Sequence, residues 1–419
     1  MLRVDQATQA PAKKSRAKKA RVSKAPRKFD YEKLIHRCTR IKPQYLNLGL
    51  LLPVLGVCAF GLAMVYSASW YNSTVYFGTR FHFFTSQLIG FILGLLLMTA
   101  AYMIDFRAYK KWYKIIYAIG FLLLVLVFVP GIGVTRLGAS RWIGIGGFTM
   151  QPSEVAKFAF VIFAAAVAAG GRTTPSRLRR ATPSKEGELL DKKQVAVILG
   201  AGLAYCALIL LEPNLSITLV LGATVFVALF LFGAKIKHLL FVMAPALVAL
   251  PIMLVAEPYR VRRLLAFIDP WANPKDEGFQ LIQSLFGLGN GGLFGVGFGN
   301  STQKHMFLPF AESDFIFSII GEEFGFMGSI IFIFFLGLIV TQIFRVGMRC
   351  PDRFGKYLCF GIATVIFIQS AVNLAVVTGT IPPTGVPLPF ISFGGTSLAV
   401  MMATIGIVLN VDKQSRRGT

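Results

Sequence analysis

The chain has 419 residues, of which 55% are hydrophobic and 15% are charged, and its mean hydropathy is +0.65. This composition is too apolar for an ordinary soluble globular protein and indicates a polytopic membrane protein. The formal net charge of +24 does not indicate a nucleic-acid-binding protein, because basic residues without a module that reads bases give no such function.

Apolar segments recur along the chain at lengths that suit membrane-spanning helices. A helix needs about 20 mostly apolar residues to cross the hydrocarbon core of a bilayer, and about ten segments meet this threshold. The predicted fold class is therefore all-α, a polytopic integral membrane protein with about ten transmembrane helices. The rough centres of the segments lie near Val57, Phe91, Leu123, Ile162, Leu203, Val225, Met243, Ile331, Ile366 and Met401.

The distribution of basic residues predicts the sidedness of the protein. Lys and Arg concentrate in the N-terminal tail, in alternate loops and after the last apolar segment, whereas the intervening short loops are nearly free of them. Cytoplasmic loops carry such an excess, so both termini are expected to be cytoplasmic, with one large extracytoplasmic loop at residues 256–318. The predicted organisation is a basic cytoplasmic tail at 1–46, a transmembrane domain at 47–410 and a short cytoplasmic tail at 411–419.

The N-terminal tail lacks the apolar core of a signal peptide and has the composition of a disordered segment. It is interpreted as a topogenic arm that also touches anionic lipid headgroups, with a protein-docking tail as the alternative. No pair of cysteines suggests a disulfide or a metal site. No cofactor is evident, and the sequence leaves a divalent-cation requirement open. The cysteines are Cys38, Cys58, Cys206, Cys350 and Cys359.

Four stretches combine polar residues with tight backbone turns, and all four map to the predicted outer face or to outer ends of helices. The first, residues 136–158, places Glu154 and Lys157 three residues apart, hence on one helical face, at the start of an apolar helix. An unpaired charge at the bilayer centre costs about 2.5 to 3.5 kcal/mol. Two interpretations stay open: a structural ion pair, or the lining of a polar cavity.

The second stretch, residues 259–305, opens with Arg260, Arg262 and Arg263 and contains a glycine-rich run. Guanidinium groups suit phosphate oxygens, so these arginines either hold a diphosphate outside the cell or anchor the chain to lipid headgroups. The glycine-rich run would let backbone N–H groups approach an anion. It is not a Walker A loop, because no Gly-Lys-Ser/Thr ends it, and ATP binding is therefore unsupported.

The third stretch, residues 307–325, contains Glu312, Asp314, Glu322 and Glu323 among apolar residues. Glu322 and Glu323 are predicted to begin a long apolar helix, because acidic side chains complement a helix N-terminus. Three apolar residues directly follow Asp314, so its carboxyl is expected to be partly desolvated. Desolvation raises the pKa of an aspartate from about 3.9 and makes it a better base.

The fourth stretch, residues 378–398, contains four prolines between positions 382 and 389, which bar a regular helix. Asn373 and Ser392 are polar positions at the flanking helix ends. Irregular backbone at membrane depth is tolerated only where it is buried in protein or lines a cavity. The stretch is therefore predicted to form a re-entrant or cavity-lining loop.

With these stretches, the chain resembles the SEDS family of shape, elongation, division and sporulation proteins, over essentially the whole region from Asn47 to Asn410. GFQLIQS and the long basic arm look more like the cell-division FtsW branch than the elongation RodA branch. EPNLS at 212–216 departs from the family's usual Gln-Pro-Asp-Leu-Gly pattern. The resemblance is carried by VYSAS at 65–69, RW with QPSEVAK at 141–157, RLLAFIDPW with GFQLIQS at 263–284, GGLFGVGFGNSTQK at 291–304, SDFIFSIIGEEFGFMG at 313–328 and PTGVPLPFISFGGTSL at 383–398.

The resemblance implies a peptidoglycan glycosyltransferase that polymerises lipid II at the outer face of the bacterial cytoplasmic membrane during septal wall synthesis. Asp314 aligns with the family's proposed catalytic aspartate, the base of an inverting displacement. The implied protein partners are a class B penicillin-binding protein, which is a transpeptidase, and other division-complex proteins. The residues predicted to bind substrate are Arg141, Lys157, Arg262, Arg263, Gln283, Ser284, Gln303, Lys304 and Ser392, and the predicted supporting residues are Glu154, Glu312, Glu322, Glu323 and Asn373.

Two other functions stay open. A lipid II flippase is the serious alternative, because a polytopic fold with polar pairs inside helices also suits transport. A flippase should have a continuous polar path, whereas the predicted helix middles near Leu123, Val225 and Ile366 carry no charge, which favours surface catalysis. The third function, a scaffold that only organises division proteins, would leave Asp314 without a function.

Overall fold

The computed structural model describes residues 46–136, 139–145, 148–170, 190–240, 258–276 and 278–417, together with residues 251 and 255. All of these residues belong to one compact unit, Pro43–Thr419. Its helices are α1 (Leu48–Phe77), α2 (His82–Met103), α3 (Phe106–Leu126), α4 (Pro152–Ala168), α5 (Lys192–Leu211), α6 (Leu215–Leu231), α7 (Pro258–Ile268), α8 (Phe279–Gly291), α9 (Ile316–Arg349), α10 (Arg353–Val377) and α11 (Gly395–Arg417).

The helices agree with the hydropathy pattern. Six of them, namely α1, α2, α5, α9, α10 and α11, are long and apolar enough to cross a membrane by length and composition, and α6 is a shorter apolar helix of 17 residues. Nine of the ten predicted centres lie inside helices, whereas Met243 and the tail at residues 1–45 lie outside the described residues. The polytopic helical fold is confirmed, while the number of ten spans stays a prediction.

Helix α11 is fixed against α2 by close backbone contact. A Cβ atom added to Gly90 would lie 2.2 Å from the Cα atom of Gly395, so only small residues allow this approach. Near the other end of α11, the Asn410 side chain accepts from the Phe106 amide at 2.9 Å and donates to the Tyr102 carbonyl at 2.8 Å. The helix continues to Arg417, so most of the predicted C-terminal tail is helical.

A small antiparallel sheet connects α3 to α4, and the all-α prediction did not anticipate it. Strand β1 (Gly133–Arg136) pairs with β2 (Ala139–Ile145), which pairs with β3 (Phe148–Met150). Both strands contain β-branched residues, Val134 and Thr135 in β1 and Ile143 and Ile145 in β2, which suit extended backbone. The chain then enters α4 with Pro152 at the first helical turn, a position that proline favours. The sheet carries Arg141 and leads directly into the helix of Glu154 and Lys157.

Helix α9 is interrupted at Gly325, whose φ of 67° and ψ of −167° form a conformation open almost only to glycine. The amides of Phe326 and Met327 donate to the carbonyls of Gly292 and Leu293, at 2.9 and 3.1 Å. The carbonyls freed by the break, those of Glu322 and Glu323, accept from the amides of Val296 and Gly297, both at 3.0 Å. The glycine-rich run therefore completes the broken helix with its own backbone, so these amides are already paired.

The start of α9 differs from the prediction made for Glu322 and Glu323. The helix begins at Ile316, so both carboxylates lie inside it, just before the break, rather than at its N-terminus. Both side chains are almost fully buried. Their charges are therefore balanced by specific partners, described below, and not by the helix dipole.

Candidate functional site

Asp314 lies in the irregular segment just before α9, where the chain leaves a series of turns. Phe315, Ile316 and Phe317 are buried behind it, and the Ser313 hydroxyl donates to its Oδ1 at 2.9 Å. Burial raises the pKa of the Asp314 carboxyl, and the Ser313 hydrogen bond and two nearby arginines partly oppose this rise. A carboxylate in this state is a stronger base than an exposed one.

The backbone around Asp314 is held by α10 and by the proline-rich segment. The side-chain nitrogen of Asn373 donates to the carbonyl oxygens of Asp314 and Val386, both at 2.7 Å. The Ser392 hydroxyl donates to the Ser313 carbonyl at 2.7 Å. These contacts use the side chains of two residues predicted from the sequence. The sequence predicts Asn373 as a supporting residue and Ser392 as a substrate-binding one, and in the structure both side chains contact the backbone that carries the carboxylate.

Gly385 packs against the Asp314 carboxylate. This glycine has a φ of 70°, and a Cβ atom added to it would lie 3.1 Å from Oδ2 of Asp314. A side chain here would strain the backbone and push against the carboxylate. The irregular proline-rich loop therefore forms one wall of the site, as its composition predicted.

Two arginines supply positive charge to the site. Arg263 on α7 donates to the Pro383 carbonyl at 3.3 Å, and Arg141 on β2 donates to the Glu212 carbonyl at 3.4 Å. Both guanidinium groups stabilise the ionised form of Asp314. Arg262, the neighbour on α7, is exposed. Because guanidinium forks match phosphate oxygens, Arg263 and Arg141 are the cations best placed to bind an anion beside Asp314.

Glu212, at the end of α5, is a feature that the sequence analysis did not select as a site residue. Its side chain is fully buried, and neither carboxylate oxygen has a hydrogen-bond partner among the described residues. Burial raises the pKa of Glu212 from 4.5 to about 8, although Arg141 opposes the rise. A pKa raised to this extent favours the protonated form of the carboxyl at neutral pH.

Replacing Glu212 with glutamine should change how stability depends on pH. Because the folded state holds the proton up to about pH 8 while the unfolded chain releases it near its ordinary pKa, wild-type stability should fall as the pH rises through this interval. The glutamine side chain cannot titrate, so the Glu212→Gln variant should melt at a higher temperature than wild type at pH 8, with the difference shrinking towards pH 5. Thermal unfolding in detergent at both pH values measures this.

A matched control for this prediction is Asp276→Asn, which removes an exposed carboxylate of the large loop. It should melt like wild type at both pH values. Equal melting temperatures of wild type and Glu212→Gln at pH 8 would contradict a protonated Glu212.

Lys157 lies in a buried polar network rather than at an open surface. Its Nζ atom is 2.7 Å from Oε1 of Glu154 and 2.6 Å from Oε1 of Gln369. Gln369 donates to the Pro387 carbonyl at 2.9 Å, and the Ser397 hydroxyl donates to Oε2 of Glu154 at 2.8 Å. The network joins α4, α10, α11 and the proline-rich loop. The geometry thus favours the structural ion pair over the lining of an open cavity.

Lys304 forms a second buried ion pair. Its Nζ atom lies 3.0 Å from Oε1 of Glu323 and 3.3 Å from the Ser67 hydroxyl of α1. Glu322 accepts hydrogen bonds from the segment Ser301, Thr302 and Gln303. This cluster fastens the segment before Asp314 to α1 and α9.

The remaining predicted substrate-binding residues lie on α8 and in the loop that follows it. The Ser284 hydroxyl donates to the Val377 carbonyl at 2.8 Å, which fastens α8 to the end of α10. Gln283 is half-buried on α8, and Gln303 is almost fully buried. The structure therefore places Asp314, Arg141 and Arg263 around one site, whereas Lys157, Ser284, Lys304 and Ser392 make contacts that hold segments of the protein together.

Comparison with known proteins identifies the family. The family model for cell cycle proteins of the FtsW, RodA and SpoVE type matches residues 48–417. The chain belongs to this family. It is 36% identical over 372 residues to stage V sporulation protein E of Bacillus subtilis, which covers 88% of this chain and 98% of that protein. It is 40% identical over 379 residues to the probable peptidoglycan glycosyltransferase FtsW of Geobacter sulfurreducens, covering 87% and 94%.

Solved structures of the FtsW/RodA/SpoVE family share this fold. A chain of a peptidoglycan synthase complex, described as coordinating polymerization and crosslinking, superposes with a TM-score of 0.70 at 28% identity, covering 88% of this chain and 98% of that chain. The rod shape determining protein RodA of Thermus thermophilus gives a TM-score of 0.63 at 26% identity, covering 90% and 98%. The region that the family model matches, residues 48–417, includes Asp314, Arg141 and Arg263.

The structure of this FtsW/RodA/SpoVE-family protein adds residues that sequence reasoning missed. Asn72 on α1 donates to Oε2 of Glu312 at 3.4 Å, and burial raises the pKa of Glu312. Gln369 accepts from Lys157. In the sequence, Glu212 was marked only by the departure of residues 212–216 from the family's usual Gln-Pro-Asp-Leu-Gly pattern. A carboxylate at the end of an apolar helix could have been selected on that ground.

Proposed function

We propose that this protein is a peptidoglycan glycosyltransferase that polymerises lipid II into glycan strands during septal wall synthesis. The observation that carries the proposal is Asp314, a partly buried carboxylate. Asn373 holds its backbone and Ser392 holds that of the neighbouring Ser313, and the guanidinium groups of Arg263 and Arg141 lower its pKa. The name of the Geobacter sulfurreducens relative supports the same activity.

The reaction uses these groups in a single displacement. Asp314 takes the proton of the acceptor's 4-hydroxyl, whose oxygen forms the new bond to the anomeric carbon of the donor. The bond from that carbon to the diphosphate breaks, and the electron pair leaves with the diphosphate. The anomeric configuration inverts. A base for the incoming hydroxyl and cations for the departing anion are the two requirements.

Arg263 and Arg141 are the proposed partners of the leaving diphosphate. Both guanidinium groups influence the Asp314 carboxyl. Lys157 and Lys304 are instead neutralised by Glu154 and Glu323 inside the protein, so their charges are already balanced. The negative charge that develops on the leaving diphosphate would therefore be stabilised chiefly by the two arginines.

The glycan strands that this reaction makes need a transpeptidase partner to cross-link them. The chain has no serine transpeptidase motif, so cross-linking of the strands requires another protein. A structural relative belongs to a complex that coordinates polymerization and crosslinking, which supports a class B penicillin-binding protein as the partner. The proposed location is the cytoplasmic membrane at the division septum.

The test is polymerisation of fluorescent lipid II in vesicles that contain the purified protein and its penicillin-binding partner, with the partner's transpeptidase blocked by penicillin. Glycan strands should form with both proteins and not with the partner alone. Absence of strands, together with transfer of lipid II between leaflets in a flipping assay of the same vesicles, would replace the proposal with the flippase function.

A further inference from the structure

A cavity of about 220 Å³ lies at the end of α1, away from the residues that contact Asp314. It is bounded by the last turns of α1, by the turn that leads to α2 and by the glycine-rich run after α8. Its lining residues are Tyr66, Ser67, Trp70, Arg80, Phe298 and Gly299. The mechanism above uses none of them.

Arg80 is the cation of this cavity. It is the only basic residue between α1 and α2, it is exposed, and its guanidinium carbon lies 5.7 Å from the centre of the Trp70 ring. Among the described residues, no carboxylate forms an ion pair with it. The aromatic ring positions the guanidinium group, and no carboxylate occupies its N–H donors. Such a group can bind an anion.

The groups beneath the cavity do not neutralise Arg80. Ser67 on its lining donates to Oε1 of Glu323 at 2.6 Å, and Glu323 is paired with Lys304. Glu322, the next carboxylate, is buried and accepts from the backbone and side chains of residues 301–303. Arg80 is therefore the one ionised side chain among the described residues that line the cavity.

The surroundings of the cavity are apolar and lie where two spanning helices end. Phe298 on its lining is 52% exposed, and Phe77 and Phe81, which flank the turn, are 49% and 52% exposed. Trp and Tyr side chains, here Trp70 and Tyr66, favour the boundary between lipid and water. A ligand that satisfies both the cation and this apolar rim has an anionic head and a hydrocarbon tail.

We propose that the cavity around Arg80 binds the phosphate group of an anionic lipid, with the guanidinium on the phosphate and the lipid chains along the exposed phenylalanines. The phosphate can belong to a membrane phospholipid or to a polyprenyl diphosphate, since both present phosphate oxygens that a guanidinium group can bind. The site is independent of the polymerase activity proposed above, because it shares no residue with the Asp314 site.

Native mass spectrometry of the detergent-purified protein tests the proposal by titration with three lipids: phosphatidylglycerol, undecaprenyl diphosphate and phosphatidylcholine, whose zwitterionic headgroup has no net charge. Wild type should retain the anionic lipids in preference to phosphatidylcholine. Arg80→Gln should weaken that binding about tenfold, the loss expected for one charge-assisted hydrogen-bonding group. Arg80→Lys keeps the charge but loses the planar guanidinium group, so its affinity for the anionic lipids should lie between those of wild type and Arg80→Gln.

The matched control is Arg107→Gln, at the start of α3. Arg107 is also exposed and lies 5.2 Å from the centre of the Phe106 ring, but it is paired with Asp105 at 3.8 Å and does not line the cavity. It should bind the lipids like wild type. Preference for phosphatidylglycerol identifies a phospholipid site, and preference for undecaprenyl diphosphate identifies a carrier-lipid site. Unchanged binding by Arg80→Gln, or an equal loss in Arg107→Gln, would overturn the proposal.

Discussion

Asp314→Asn should abolish lipid II polymerisation, with a loss of about 10²- to 10⁴-fold, the usual contribution of a general base. Asparagine keeps the shape of the side chain and its place beside Ser313 but cannot take a proton. The contacts of Asn373 and Ser392 go to backbone carbonyls, so the fold around the position should persist. The rate of strand formation with the partner protein, at equal folded yield, measures the effect.

The control for this prediction is Asp276→Asn, an exposed carboxylate of the same large loop, which should polymerise like wild type. The pH profile adds a second observation. Because burial raises the pKa of Asp314, the wild-type rate should fall on acidification at a higher pH than an ordinary aspartate would give. Normal strand formation by Asp314→Asn would show that another group is the base.

Lys157→Met should destabilise the folded protein strongly. The substitution leaves the Glu154 carboxylate buried without its cation, and breaking a buried ion pair in this way costs about 3 to 5 kcal/mol. Methionine fills a similar volume, so packing should change little. The melting temperature in detergent should drop well below that of wild type.

The double variant Glu154→Gln with Lys157→Met provides the matched comparison, because it removes both charges together. It should recover most of the lost stability, since replacing both members of a buried pair is often close to neutral. Its polymerase activity separates the two roles considered for Lys157. An active double variant would make Lys157 a support, whereas a stable but inactive one would make it a substrate ligand. A single variant as stable as wild type would contradict the buried pair.

Much of the fold followed from local sequence. Membrane-spanning helices are recognisable in the hydropathy pattern because each needs about 20 apolar residues to cross the bilayer. Nine of the predicted centres lie in helices. Pro152 marked a helix start through its fixed backbone angle. The broken character of the proline-rich loop was also readable, because proline removes a backbone donor. The motifs around Asp314 were sufficient to indicate the family.

Contacts across large separations in sequence were decided only by the tertiary structure. Hydropathy does not show that Lys157 meets Gln369, or that Lys304 meets Glu323. The sequence predicts both lysines as substrate ligands and leaves a structural ion pair open for Lys157, whereas the structure pairs each lysine with a buried carboxylate. The helix start before Glu322 was misplaced for a related reason: the glycine-rich run completes the broken helix at Gly325, and that pairing joins segments about 30 residues apart.

Sequence alone thus determined the membrane-spanning, helical class of the protein, its family and the prominence of Asp314, because these depend on composition and on contiguous motifs. The tertiary structure decided which cations surround that carboxylate, that Glu212 is buried, and that Arg80 lines a cavity. Those properties depend on burial and on pairing between distant segments, which set the cost of each charge.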